Sequence, residues 1–380
     1  MLNLHPRIAD LKPSATVEMT EKIRSERAAG RHILSLSSGD PNIPTDPRII
    51  EAATQAMAAG DTKYAPSPGI PALREAVAAR ELRKSGANYD PADILITPGG
   101  KFALFAAMMS FVGTGDEVLI AEPGWVSYSP IVSICGATPV IVPALGRLDI
   151  AELERLSSPH TRAIIVNSPV NPSGRVVEAD EIQALVEFAQ RHDIWIVFDQ
   201  VYSDLLHEGE FSYPQSTTQG FERTIVIDSF SKTFGMTGWR LGYLALPPGY
   251  ARRIQRLIQH SIYSVPGFIQ AAGVRALSLY DDLVPRYSAM FRQRQLKAHA
   301  ALNQIPGIQC SLPRAGFYLF PSVSVDDRLV ASHWLEKLSV SSLPGSAFGA
   351  AGSGHLRLSV TSPDDELEEA LHRISQAGLP

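Results

Sequence analysis

The feature that most restricts how this chain can fold is a run of short apolar segments rich in β-branched residues. They are Ile94–Thr97, Glu117–Ala121, Thr138–Val142, Arg162–Asn167, Ile194–Asp199, Thr224–Ser229 and Gly242–Leu246. Several are apolar at successive positions, so both faces should be buried, as in the centre of a parallel sheet. Stretches with helical spacing lie between most of them, including Ala103–Phe111, Trp125–Cys135 and Ala179–His192. Such alternation predicts a largely parallel sheet covered on both sides. Gly242–Leu246 follows the preceding segment after only about a dozen residues, a connection that suits an antiparallel hairpin partner.

After Gly249 the pattern changes. Helical spacing dominates from Tyr250 to about Asn303, with a break near Val265–Pro266–Gly267. Strand-like pieces follow at Gly316–Pro321, Val340–Leu343 and His355–Val360, and an amphipathic helix closes the chain from about Pro363 to Ala377. The expected fold class is α/β, with a mostly parallel seven-stranded sheet in a large domain and a smaller α+β domain. The expected division assigns 47–289 to the large domain and 290–380 to the small one. Residues 1–46 form an arm and part of the small domain, with a strand at Ile33–Ser37, packed outside the main sheet.

Composition narrows the class without choosing a function. The chain has 380 residues, 45 % of them hydrophobic, enough for one large core and a second lobe. Its formal charge of −5 is dispersed, without the basic footprint of a nucleic-acid binder or a polybasic membrane-surface stretch. The longest largely apolar run, Phe102 to Val112, is too short to span a bilayer and reads as a buried helix. The first residues carry charges and prolines but no apolar core segment, so no secretory signal is expected. Cys135 and Cys310 show neither a C-x-x-C nor a metal-ligand spacing, and are expected as reduced core thiols of a cytoplasmic protein.

Polar residues stand where several of these strands should end. In open parallel sheets ligands bind beyond the carboxyl ends of the strands. Asn171 follows one strand in V-N-S-P-V-N-P-S-G, Asp199 closes I-W-I-V-F-D, and Ser229 and Lys232 follow T-I-V-I-D. Singly, each has an ordinary explanation as a cap, a turn or a surface charge. Together, on one rim, they describe a pocket. Other motifs fail: Ser229-x-x-Lys232 lacks the supporting K-T-G of serine β-lactamases, since Phe234 follows Thr233. Gly99-Gly100-Lys101 lacks the upstream glycine and the following Ser/Thr of a P-loop. There is no H-E-x-x-H, and no metal is expected.

The stretch S-F-S-K-T-F-G-M-T-G-W-R-L-G-Y, containing Lys232 and Arg240, resembles the cofactor-lysine signature of class I/II aminotransferases of fold-type I. K-P-S-A-T, S-G-D-P, K-Y-A-P-S-P-G-I-P-A-L-R-E-A, N-P-S-G, D-Q-V-Y and H-L-R-L-S extend the likeness along nearly the whole chain. It implies pyridoxal 5'-phosphate as cofactor, carried on the Lys232 amine, with Lys232, Asp199 and Tyr202 as the catalytic set. Asp199 would keep the pyridine nitrogen protonated, Tyr202 and Asn171 would meet the ring's 3-oxygen, and Trp125 would stack on its face. Gly99, Gly100, Lys101, Ser229 and Arg240 would receive the phosphate. Tyr64 would reach the cofactor of a neighbouring subunit, implying a homodimer with shared sites. Arg357 would grip the substrate α-carboxylate, with Gly39, Trp125 and Asn171 also lining the substrate's place.

The implied reaction moves an amino group between an L-amino acid and a 2-oxo acid in two half-reactions at one site. K-P-S-A-T and G-W-V-S-Y resemble the prokaryotic aspartate aminotransferase branch, and the expected specificity is aspartate-like or broad. Against a strictly acidic substrate stands the helix from Phe102 to Val112, which has no Lys or Arg to meet a distal carboxylate. Y-S-V-P-G-F-I-Q is similar to arginine–pyruvate transaminases, which keeps arginine or a neutral amino acid open. Lys12, His260 and Tyr263 are the candidates for an outer pocket. A lyase or biosynthetic enzyme on the same fold is an alternative. A cofactor-sensing regulator is set aside, because K-P-S-A-T begins at residue 12 and leaves no room ahead of it for a DNA-binding domain.

Overall fold

The computed structural model describes residues 6–9, 11 and 13–380. Seven strands form the main sheet: β2 (Ile94–Thr97), β3 (Glu117–Glu122), β4 (Thr138–Pro143), β5 (Thr161–Asn167), β6 (Trp195–Asp199), β7 (Thr224–Ser229) and β8 (Gly242–Ala245). Their order is β2-β8-β7-β6-β5-β3-β4. β8 runs antiparallel to both of its neighbours, and the β7–β6–β5–β3–β4 pairs are parallel. The short link into β8 therefore makes the expected hairpin, but β8 also separates β7 from β2.

Every residue of β2, β7 and β8 is buried, which is why these segments read as continuous apolar runs rather than alternating ones. Val118, Ile120, Ile165, Val197 and Ile225 pack on one face beneath the helix Gly100–Phe111. Ile164, Val166, Ile196 and Phe198 face the other way, toward the helix Ala179–Arg191. Each such side chain removed from water contributes about 1.5–3 kcal/mol. The helix expected at Trp125–Cys135 begins only at Tyr128, so Trp125 sits in a turn ahead of it. The long helical region divides into Ala251–Gln259, Gly267–Ser278 and Tyr280–Leu302, with a second break at Leu279 that spacing alone did not mark.

The smaller unit is built from short pieces. β1 (Leu34–Ser35) pairs in parallel with β12 (Val340–Ser341), outside the main sheet. β9 (Ile308–Gln309) pairs with β11 (Ser322–Val323), and β14 (Leu356–Ser359) lies between β10 (Tyr318–Leu319) and β13 (Leu343–Pro344). The last helix, Asp364–Ala377, adds Leu367, Leu371 and Ile374 to a core around Trp334 and Phe317. Tyr202 and Leu205, from the turn after β6, belong to this same core. The turn that follows Asp199 is thus held from the small-unit side. Among the described residues no helix is long and apolar enough to cross a membrane.

Candidate active site

The carboxyl ends of β5, β6 and β7 open onto a cavity of about 500 Å³, within the range of small-molecule sites. Asp199 is the last residue of β6 and Ser229 the last of β7. Lys232 lies on the single helical turn Phe230–Thr233, which Ser229 caps by accepting a hydrogen bond from the Ser231 amide at 3.2 Å. Both Lys232 and Asp199 line the cavity, as Tyr202, Asn171, Trp125 and Arg357 do.

Burial governs the electrostatics of the two central groups. It pushes the Asp199 carboxyl up to about 6, against the hydrogen bonds from Tyr128 and the Val201 amide. The Tyr128 hydroxyl donates to Asp199 Oδ2 at 2.6 Å. Burial likewise pulls the Lys232 amine down to about 8, opposed by the Asp40 carboxylate and assisted by the positive charge of Arg357. Lys232 Nζ donates to the Gly39 carbonyl at 2.7 Å, and a Cβ at Gly39 would stand 3.2 Å from the Tyr318 hydroxyl. Glycine there lets backbone come up to the amine. Burial and the neighbouring Tyr318 raise the Tyr202 phenol; the two hydroxyls are 3.2 Å apart.

One end of the cavity is built for an anion. The helix Gly100–Phe111 starts at Gly99, where no side chain caps its first amides. Uncapped amides at a helix start favour phosphate. Gly99 has φ +85°, and a Cβ there would come within 2.7 Å of Arg240 Nη2, so the guanidinium lies directly against the turn. Among the described residues Arg240 donates to the carbonyls of Thr237 and Pro98, leaving further N–H groups available. Lys101 stands at the same rim with its ammonium 5.0 Å from the Trp125 ring. Burial, then the nearby Arg240 charge, lowers its pKa.

At the other end Arg357 is 1 % exposed, between the rings of Tyr318 at 4.5 Å and Phe348 at 4.9 Å. Its Nη2 donates to the Ser37 carbonyl at 2.7 Å and its Nη1 to Asn171 Oδ1 at 3.2 Å, while the buried Nε has no partner among the described residues. A buried, permanently charged fork with an unmet donor fits an incoming carboxylate. The donors at the helix start, the ionisable pair in the middle and this fork together fit pyridoxal 5'-phosphate carrying an amino acid.

Some expected residues lie elsewhere. Tyr64 is 85 % exposed, off the cavity, with its ring 4.7 Å from that of Tyr263. His260 is exposed at the end of the helix Ala251–Gln259, and neither it nor Tyr263 reaches the cavity of this chain. Lys12 lies outside the described residues. Sequence reasoning also missed contributors. Tyr128 stands three residues after Trp125, the spacing of one helical turn, and could have been found on that ground. Tyr318 had no motif to mark it. Thr16, Val17 and Thr20, from the helix Ala15–Ala28, close one side of the cavity although the arm packs outside the sheet.

Comparison with known proteins follows the same direction. Residues 31–374 match the family model described as aminotransferase class I and II. An aspartate aminotransferase of Geobacillus stearothermophilus is 36 % identical, covering 98 % of this chain and 98 % of the relative. An arginine–pyruvate transaminase of Pseudomonas aeruginosa is 35 % identical over 91 % of this chain and 90 % of its own length. The solved structure of the Thermus thermophilus aspartate aminotransferase with maleate superposes with a TM-score of 0.94, at 34 % identity, covering 99 % of this chain and 100 % of that one.

Proposed function

The chain belongs to the class I and II aminotransferases, and from that premise we propose how its own residues divide the work of moving an amino group between an L-amino acid and a 2-oxo acid. The observation that carries the division is one cavity with a depressed amine, a buried carboxyl and a buried arginine fork around it. Its cofactor, pyridoxal 5'-phosphate, supplies an aldehyde to hold the amino group and a ring to take up the electron pair left at Cα. Lys232 would hold the cofactor's aldehyde through its amine and, as a free amine, would serve as the base that moves the proton at the substrate's Cα. Asp199 holds a proton at the pyridine nitrogen, and Tyr202 and Asn171 orient the 3-oxygen. Trp125 covers the ring face, while the amides of Gly100 and Lys101, with Ser229 and Arg240, hold the phosphate. Arg357 orients the α-carboxylate, and Gly39 admits the substrate close to backbone.

An aspartate-like or broad substrate range is the reading we favour. The Lys101 ammonium on the cavity rim supports it, because it offers an acidic side chain a counter-charge that the helix beyond it lacks. Mixing the protein with single amino acids, and following loss of the lysine-bound cofactor's visible band, tests both parts. Rapid loss with aspartate or glutamate is expected. A band that Lys232→Ala leaves unchanged would overturn the assignment of Lys232, and turnover of arginine alone would overturn the substrate range.

We further take residues 47–289 as the cofactor-holding domain, and 290–380 with 1–46 as the smaller one. The exposed Tyr64 favours a homodimer in which it serves the neighbouring site. Sedimentation as a monomer with full activity would refute that. Cys310, a buried thiol in no disulfide, favours a cytoplasmic location.

A further inference from the structure

Behind the carboxyl edge of the main sheet lies a second group of charges that the reaction above does not use. Arg80, Glu81 and Lys84 come from the helix Pro71–Ser85, Asp228 from β7 and Asp204 from the turn after β6. Their side chains are 8 % exposed or less, and none lines the cavity. Asp228 precedes Ser229 in the strand, so its side chain points to the opposite face of the sheet.

The guanidinium of Arg80 bridges two segments. Its Nη1 donates to Asp228 Oδ2 at 3.0 Å, and its Nη2 pairs with Asp204. Lys84 Nζ joins the same Asp228 oxygen at 3.0 Å and lies 3.5 Å from Asp204 Oδ1, a looser second link between the two carboxylates. The bonds leaving this cluster end beside site residues. Asp228 Oδ1 accepts from the Ser229 amide at 2.7 Å. Asp204 accepts from the hydroxyl of Thr233, the residue after Lys232, at 2.7 Å. Gln200, the residue after Asp199, donates to Glu81 at 2.9 Å and to Asp228 at 3.2 Å.

Stability alone is a poor reason to bury so many charges. Desolvation opposes their mutual attraction, and apolar packing of similar volume often does as well or better. Spacing is the property that such a cluster controls and that apolar packing does not. Resting on the role proposed for Lys232 and Asp199, we propose that Arg80 is a positioning residue: by holding Asp228 and Asp204 on one planar fork, it fixes the distance between the strand end that carries Asp199 and the turn that carries Lys232.

The test compares wild type, Arg80→Lys, Arg80→Met and Thr233→Val as purified holoenzymes. Three quantities are read: the pH midpoint of the lysine-bound cofactor's visible band, the rate of cofactor loss, and kcat against KM. For Arg80→Met we expect kcat to fall about tenfold or more with KM changed less than about threefold. The midpoint should move by about half a pH unit or more, and cofactor loss should quicken. Arg80→Lys should recover only part of this, because an ammonium brings charge without the rigid two-pronged fork, and Lys84 already supplies a point charge between the same carboxylates. Thr233→Val leaves every ion in place and should show the same pattern more weakly, about threefold in kcat. Variants with wild-type midpoint, cofactor retention and kcat, altered only in melting temperature, would overturn the inference. If Arg80→Met yields no folded protein, Thr233→Val decides on the same readouts. A wild-type band insensitive to Lys232→Ala would mark failure of the Lys232 assignment itself, and this inference would fall with it.

Discussion

The Tyr128 hydroxyl and the Asp199 carboxylate meet at 2.6 Å beneath the cavity, which makes a phenol the nearest neutral support of a buried charge. That bond favours the ionised carboxylate, and burial opposes it. Removing the donor in Tyr128→Phe should therefore raise Asp199 further above about 6, and weaken its hold on a protonated ring nitrogen. A hydrogen bond to a charged group contributes about 1.5–3 kcal/mol, so kcat should fall roughly tenfold or more. The acidic limb of the pH–rate profile should move upward, and a limb that stays in place would argue against this support.

Lys232 must lose its proton before it can attack an aldehyde. With its amine pulled down to about 8 by burial, uptake of cofactor by the cofactor-free protein should quicken as pH rises and level off above about 8. Stopped-flow growth of the visible band reads this directly. The sign for stability follows from the same shift. Between about 8 and the ordinary lysine value of 10.5 the unfolded chain binds the proton that the folded one rejects, so this group's contribution to folding grows as pH rises across that window. Lys232→Met should remove that slope from the cofactor-free protein.

Asp199 has the opposite slope. Its folded value lies above the ordinary carboxylate value of 3.8, so its contribution to stability is greatest at low pH and is lost as pH rises from about 4 to 6. In the cofactor-free protein, Asp199→Asn should gain stability relative to wild type across that interval, measured as the difference in denaturation midpoint. An unchanged difference would mean that the carboxyl is not buried as described.

Arg357→Lys keeps the charge and loses the fork. The lysine cannot serve Ser37, Asn171 and a carboxylate together, so KM for the amino acid should rise about 10- to 100-fold. The visible spectrum of the bound cofactor should be unchanged. Loss of cofactor instead would show that Arg357 serves the wrong end of the cavity.

Lys101→Met removes the rim ammonium while its stem volume remains. Discrimination should move by about tenfold, with kcat/KM for aspartate falling relative to that for alanine. Equal losses on both substrates would assign Lys101 to the phosphate and not to the side chain.

The seven sheet strands were legible within a residue or so of their ends: burial on both faces gives the inner strands nearly unbroken apolar runs, and the edge strand β4, where Val142 alone is buried, still carries the β-branched V-I-V. That Lys232, Asp199 and Arg357 share one cavity could be read for a different reason: Asp199 ends a strand, Arg357 lies within one and Lys232 sits on the turn just after one, each inside a specific motif. The Arg80 cluster was not legible. Charges at Arg80, Glu81 and Lys84 look like a solvated helix face until tertiary packing turns that face inward. Tyr318 was equally hidden, since a tyrosine in a short strand carries no sign of which hydroxyl or guanidinium it will meet. His260 and Tyr263 drew notice only from a local likeness, and sequence gives no direction for a side chain beyond a broken helix.

The antiparallel insertion of β8 sets the order in which the molecule can be assembled. β2 is an edge strand whose one partner in the sheet is β8, roughly 150 positions further along the chain. Gly242 lies so close to the Gly99–Gly100 backbone that a Cβ would approach within 2.7 Å of it. The phosphate end of the pocket therefore cannot close until the ribosome has delivered the strand that follows Lys232. Loop-closure entropy makes that late docking slow relative to the hairpin. Cofactor capture accordingly waits for β8, and the carboxylate end of the pocket, carried by Tyr318 and Arg357, is delivered later still.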